Sequence, residues 1–202
     1  VASLPYSYLS SAPPSGENEA VIVPLQKDAW ATVISNPALV VGSGTEDAVR
    51  YPLLPVLKAR SIRPCGMLSW GNGKAERAGE KELEKEYPGI RNWGAEPGEC
   101  PVRQWRLRPG NALVLEDFPV PLRTGIRQDR NRVLSWECRG RRFLMIGNTG
   151  FSSLARAEKT PRADVLLIGH HPRDPVDSAA WIRATGARAV IFTTEHECPV
   201  PE

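Results

Sequence analysis

Short apolar runs broken by glycine, proline or charged residues recur along most of this chain, a pattern of short strands rather than long helices. The first two runs, residues 19–25 and 29–35, are separated only by Gln26, Lys27 and Asp28, which predicts a β-hairpin. Residues 38–41 form a third strand, ended by Gly42-Ser43-Gly44. Thr45 then reads as a helix N-cap with Glu46 and Asp47 in the first turn. The helix that it opens carries Val49, Leu53, Leu54, Val56 and Leu57, and Pro52 and Pro55 force an early start or a kink. A fourth strand at 66–70 and a turn at Gly71-Asn-Gly73 follow. Residues 75–87 make a charged helix whose apolar stripe (Ala75, Gly79, Leu83, Tyr87) is narrow, so it belongs on the surface.

Beyond it the spacing predicts strands at 102–107, 112–115, 133–138 and 143–146, with Gly140 in the last turn. A helix near 152–159 leads to a strand at 165–168, a helix at 176–185 and a final strand at 189–193. The order suggests a duplicated β-rich unit, two sheets face to face between helical layers. No repeat is visible in the residues themselves. Residues 1–18, with Pro5, Pro13 and Pro14, read as a linker, and 19–202 as one domain. A start at Val1 without Met suggests a piece excised from something longer.

Composition narrows the class. The chain has 202 residues, 41% hydrophobic and 24% charged, as in a soluble globular domain with a real core. No apolar run approaches the roughly 20 residues of a membrane span. The net charge of +3 is unevenly placed, −2 over residues 1–100 and +5 over 101–202, with ten arginines against four acids between Pro101 and Arg142. That segment is either a phosphate-binding face or an arginine-rich solvated surface. Its candidate nucleic-acid contacts are Arg103, Arg106, Arg139, Arg141 and Arg142, with Trp93 and Trp105 available to stack on bases. Trp70, Trp136 and Trp181 fall in predicted elements and read as core. Cys65, Cys100, Cys138 and Cys198 lack any CxxC spacing, and their pairing stays open.

The candidate chemistry gathers on Ala163-Asp-Val-Leu-Leu-Ile-Gly-His-His-Pro-Arg-Asp174, which holds two of the three histidines. Its strand ends at His170 and His171, and the carboxyl ends of strands are where open α/β sheets bind ligands. Imidazole is the commonest metal ligand, but for an isolated pair a strand-to-loop turn with no ligand is the simpler reading. No glycine-rich phosphate loop and no Cys–His dyad is present, and Ser152-Ser153 reads as a helix cap rather than a nucleophile.

Several short motifs, in order, resemble the metallo-β-lactamase-like C-terminal domain of ComEC-type competence proteins, the membrane channels for DNA uptake. Val23-Pro-Leu-Gln-Lys-Asp-Ala29 parallels that family's Asp-Val-Gly-Gln-Gly-Asp-Ala, and Val41-Gly-Ser-Gly44 its Ile-Asp-Thr-Gly. Leu54-Pro-Val-Leu-Lys-Ala-Arg-Ser-Ile62 parallels its next helix. Ser69-Trp-Gly-Asn-Gly-Lys-Ala75 aligns without gaps on its metal motif Ser-His-x-Asp-x-Asp-His. Asn131 to Leu134 keeps its Asn and Val-Leu strand, and Met145-Ile-Gly-Asn148 parallels its Leu-x-Gly-Asp turn. Ala163 to His171 parallels its Ala-Asp-Val-Leu-x-x-x-His-His, with Pro172-Arg173 in place of Gly-Ser.

The resemblance implies an α/β fold, a four-layer αββα sandwich of the metallo-β-lactamase type. It also implies an extracytoplasmic soluble domain whose partner is the membrane-embedded remainder of its own chain. DNA, single- or double-stranded, is the other partner that it implies. Where the family supplies metal ligands, however, this chain has Gly42, Trp70, Asn72, Lys74, Ala75 and Asn148. An ammonium in place of a carboxylate repels a cation by on the order of several kcal/mol at short range. The expectation is therefore a vestigial pocket of Asp28, Trp70, Asn72, Lys74, Asn148, His170 and His171, with Lys74 pointing inward. No cofactor and no catalysis are expected there. The alternative is an active nuclease or phosphodiesterase using zinc or manganese through a rebuilt site, for which Asp28, Glu76, Asp174 and His196 are the available donors.

Overall fold

The computed structural model describes residues 19–25, 30–35, 38–69, 73–92, 116–118, 133–138, 140–146, 154, 160–169 and 178–193. The linker expected at 1–18 and the strands expected at 102–107 and 112–115 lie outside these residues, as does all of the 152–159 helix except Leu154.

Among the described residues ten strands form two sheets. In the first, β1 (Glu19–Pro24), β2 (Trp30–Ser35), β3 (Leu39–Val41), β4 (Gly66–Leu68) and β5 (Arg91–Asn92) lie side by side in chain order. In the second, β6 (Glu116–Phe118), β7 (Val133–Cys138), β8 (Arg141–Ile146), β9 (Val165–Gly169) and β10 (Ala189–Thr193) do the same. The pairing sequence is identical in both: antiparallel, antiparallel, parallel, parallel. The duplication suggested by element order is thus present in the backbone.

Alternation along the strands sorts the core into three layers. Leu39 and Val41 face the second sheet, with Trp30, Ile34 and Leu68, against Leu134, Trp136, Met145 and Leu167. Val40, Val33 and Met67 face the other way, onto Val49, Leu53, Leu57 and Leu83 of the helices. On the far side of the second sheet, Val133, Leu144, Ile146, Leu166 and Ile168 pack with Leu154 and Trp181. Helix, sheet, sheet, helix is the four-layer order. Trp136 stacks on its cross-strand neighbour Phe143 with ring centroids 4.9 Å apart, an arrangement typically worth about 0.5–1.5 kcal/mol beyond burial.

The helices follow the sequence closely. Thr45 caps α1 (Glu46–Ala48), its side chain accepting from the Ala48 N–H. Pro52 has no N–H to donate, and the turn Val49–Leu53 around it widens to π geometry, with the Leu54 N–H reaching back to the Val49 carbonyl. The chain then tightens into α2 (Leu54–Ala59). The charged helix α3 (Lys74–Glu86) buries only Gly79 and Leu83. Leu83 is fully buried, and burial of that kind contributes about 1.5–3 kcal/mol. The last helix, α4, spans Ser178–Thr185.

Candidate functional site

Each sheet contains two parallel pairs after its antiparallel strands, so in each the carboxyl ends of neighbouring strands lie together. In the first sheet Val41 is level with Leu68, and in the second Ile146 is level with Ile168. Four segments follow these strands in the sequence: Gly42-Ser43-Gly44, Ser69 onward, Gly147-Asn148 and His170-His171, the last two outside the described residues. They are the segments to which the sequence assigned the candidate chemistry.

Two of the four are described in part. Gly42 takes φ +78° and Gly44 φ +68°, backbone that favours glycine. The Gly42 N–H donates to the Leu68 carbonyl at 2.8 Å, tying the two strand ends together. Ser43 is buried, and its hydroxyl donates to the Glu76 carbonyl of α3 at 3.2 Å. Ser69 is also buried, and its Oγ has no hydrogen-bond partner among the described residues.

Helix α3 lies directly on this loop, because Gly79 has no side chain to hold it off. A Cβ there would stand 2.5 Å from the Gly44 carbonyl oxygen.

Solved structures with this arrangement are metallo-β-lactamases. A HARLDQ-motif mutant of the enzyme from Cronobacter sakazakii superposes with a TM-score of 0.55 at 11% identity, covering 76% of this chain and 80% of its own. The Rm3 metallo-β-lactamase gives 0.56 at 12% identity, with 79% and 78% covered. MIM-1 from Novosphingobium pentaromativorans gives 0.53 at 13%, with 82% and 86% covered. The chain has the metallo-β-lactamase fold. No family model and no curated protein sequence matches it.

The carboxyl ends of strands are where open α/β sheets bind ligands, and the sequence places its candidate residues there. Among the expected pocket residues only Lys74 is described; Asp28, Trp70, Asn72, Asn148, His170 and His171 lie outside the described residues. The partners expected for the Lys74 ammonium, Asn72, Asn148 and the His pair, are thus outside the described residues, and Lys74 itself is exposed. The reason is helical geometry. At about 100° per residue, Lys74 stands roughly 140° and 180° around the helix from Gly79 and Leu83, the two residues that face the protein. Ala75, expected on the buried stripe, is exposed as well.

The described residues at the expected site include Gly42, Ser43, Ser69, Lys74 and Ala75. Gly42 has no side chain and has committed its N–H, Ala75 has no donor atom, and Lys74 carries a positive charge. Ser69 Oγ and Ser43 Oγ are neutral hydroxyls, poor substitutes for the carboxylates and imidazoles that such a centre uses. Among the described residues no three His, Cys, Asp or Glu side chains gather closely enough to hold a metal.

Of the candidate nucleic-acid contacts, Arg103, Arg106 and Arg139 lie outside the described residues, while Arg141 and Arg142 are exposed on β8. The Arg141 guanidinium stands 3.8 Å from the Asp164 carboxylate. Arg162, Arg183 and Arg188, not singled out by sequence, share one depression with Arg142. They are scattered along the chain, and only the order of β8, β9 and β10 gathers them.

Proposed function

We propose that this chain is a non-catalytic metallo-β-lactamase-fold domain, a binding or structural module of a ComEC-like DNA-uptake membrane protein. The observation that carries the reading is the loop after β3. Where the resembled family has a metal-site Asp-Thr-Gly, this chain has Gly42-Ser43-Gly44, bonded to Leu68 and covered by α3 through Gly79. Trp70, Asn72, Ala75 and Asn148 stand where the other ligands would be. The reading makes the domain extracytoplasmic, beside the membrane-embedded remainder of its own chain. Among the described residues no helix is long and apolar enough to cross a membrane, so the span belongs to that remainder. Incoming DNA is then guided over arginines such as Arg103, Arg106, Arg139, Arg141 and Arg142.

The His170–His171 pair favours a second reading, an active metal-dependent nuclease or phosphodiesterase, since it is the part of the ligand set that the sequence retains. Elemental analysis of the purified chain after exposure to zinc and manganese separates the two. The non-catalytic reading expects much less than one equivalent of either metal per chain. Two equivalents surviving mild chelation, together with metal-dependent cleavage of single-stranded DNA, would overturn it.

A further inference from the structure

The amino-terminal end of β8, β9 and β10 carries a second feature, at the opposite end of β9 from Gly169. Val165 and Gly169 are separated along the strand by about 13 Å, four steps of about 3.3 Å. Arg142, Arg162, Arg183 and Arg188 line an open depression of about 570 Å³ there, with Glu137 and Asp164 as its carboxylates. Each arginine comes from a different segment: the start of β8, the approach to β9, the last turn of α4 and the approach to β10. All four are exposed. Among the described residues none of their guanidinium groups has a carboxylate partner, and Asp164 is engaged by the Arg142 backbone N–H at 2.9 Å and by Arg141.

The floor of the depression is braced. The Asp164 N–H donates to the Arg142 carbonyl, the Ala163 N–H to the Thr185 carbonyl, and the Arg188 N–H to the Asp164 carbonyl, at 2.7, 3.0 and 2.9 Å. The carboxyl end of α4 opens onto this face, and free carbonyls there would repel an anion. They are largely occupied. Thr185 O accepts from Ala163, Arg183 O from the Gly186 N–H, and Ile182 O from the Thr185 hydroxyl.

Guanidinium forks match phosphate oxygens two at a time. The volume is that of a small-ligand site, about 300–1,000 Å³. The depression is open at the surface. Among the described residues no aromatic side chain lines it, so contacts would fall on the backbone rather than the bases. We propose that this groove binds the phosphodiester backbone of single-stranded nucleic acid, without sequence preference. The inference deepens the nucleic-acid part of the proposed function and rests on it. It moves the contact to a groove that shares only Arg142 with the sequence candidates.

The test uses the whole 202-residue chain and a fluorescently labelled oligothymidylate, with anisotropy followed against salt. Four neutralised phosphates predict a log–log salt slope of about −3, at about −0.7 per phosphate on a single strand. Arg183→Ala/Arg188→Ala should lower affinity about tenfold at low salt and roughly halve the slope, with an unchanged thermal midpoint. Arg183→Lys/Arg188→Lys should keep the slope, and Arg77→Ala on α3 should change neither quantity. A groove variant that binds like the parent, while Arg103→Ala/Arg106→Ala abolishes binding, overturns the groove and leaves the nucleic-acid reading standing. No binding to the parent at low salt overturns both. Displacement of the oligonucleotide by inorganic pyrophosphate at lower phosphate concentration overturns the strand assignment in favour of a small phosphate ligand.

Discussion

Gly79 of helix α3 is in contact with the Gly44 backbone: a Cβ added to Gly79 would stand 2.5 Å from the Gly44 carbonyl oxygen and 3.0 Å from Ser43 Oγ. Gly44 is itself hemmed in, since a Cβ there would meet Leu25 Cδ1 at 3.1 Å and Ala48 Cβ at 3.2 Å. The strand-end loop, the start of α1 and the middle of α3 are therefore one packed unit. Access to the loop from the α3 side is closed by backbone, not by a movable side chain.

Gly79→Ala measures that closeness. Alanine in a helix interior is favoured over glycine by about 1 kcal/mol, and forcing a methyl into a packed contact costs about 1–3 kcal/mol. Because the obstructing atom is a main-chain carbonyl, the cost should win and urea denaturation should show a net loss of stability. A variant as stable as the parent would mean that α3 stands further from the loop.

Much of this architecture was legible in the sequence, because it rests on side-chain pattern. Leu39-Val40-Val41 is buried on both faces and reads as a strand from its apolar run alone. Arg91–Asn92 is a strand only because its main chain pairs with β4, and two exposed polar residues give no such signal. Glu116–Phe118 likewise begins where the apolar run 112–115 ends. The exposure of Lys74 follows from counting around the helix from Leu83, at about 100° per residue. The arginine groove was not legible, since sheet order alone brings Arg162, Arg183 and Arg188 to Arg142.

Arg60 and Glu19 form the most buried ion pair among the described residues. Arg60 Nη1 donates to both Glu19 carboxylate oxygens, at 2.9 and 2.8 Å, with only 7% of the Arg60 side chain exposed. The pair joins the end of α2 to the start of the edge strand β1. A double-mutant cycle with Arg60→Ala and Glu19→Gln should give a coupling energy of about 1–2 kcal/mol. The exposed Arg50–Glu46 pair, at 41% and 52% exposure, should give a clearly weaker coupling. Equal coupling in the two cycles would show that burial does not strengthen the first.

Glu80 gives a pH signature. Burial pushes its pKa up and Glu84 adds to the shift, while Asn92 and Arg77 oppose it. A raised pKa means that the folded state holds the proton more tightly than the unfolded chain. The stability this contributes is complete below the unfolded value of about 4.3 and is lost as pH rises through the folded value. At neutral pH the ionised carboxylate is therefore mildly unfavourable. Glu80→Gln should stabilise the protein by a few tenths of a kcal/mol at pH 7, discounted because the group is partly solvated. The gain should vanish below about pH 4. A gain that grows on acidification would show that the sign is wrong.

Lys74→Asp separates the helix from the metal site. Lys74 is the first residue of α3, after Gly73, which offers no side-chain cap. A cation there opposes the helix dipole, and replacing it by a carboxylate should stabilise the helix by about 0.3–1 kcal/mol, less at high salt. The same substitution restores the residue type that the resembled family places in its metal motif. If that one charge had been the obstacle, zinc binding would rise with it. Gly42 and Ala75 still supply no donor atom, and Lys74 is exposed on the side of α3 away from Gly79 and Leu83. The variant should therefore melt higher than the parent in metal-free buffer, retain no zinc after dialysis and cleave no DNA. A stoichiometric zinc content in the variant would show that position 74 reaches the strand-end loops after all, and with it that the pocket is one substitution from a working centre.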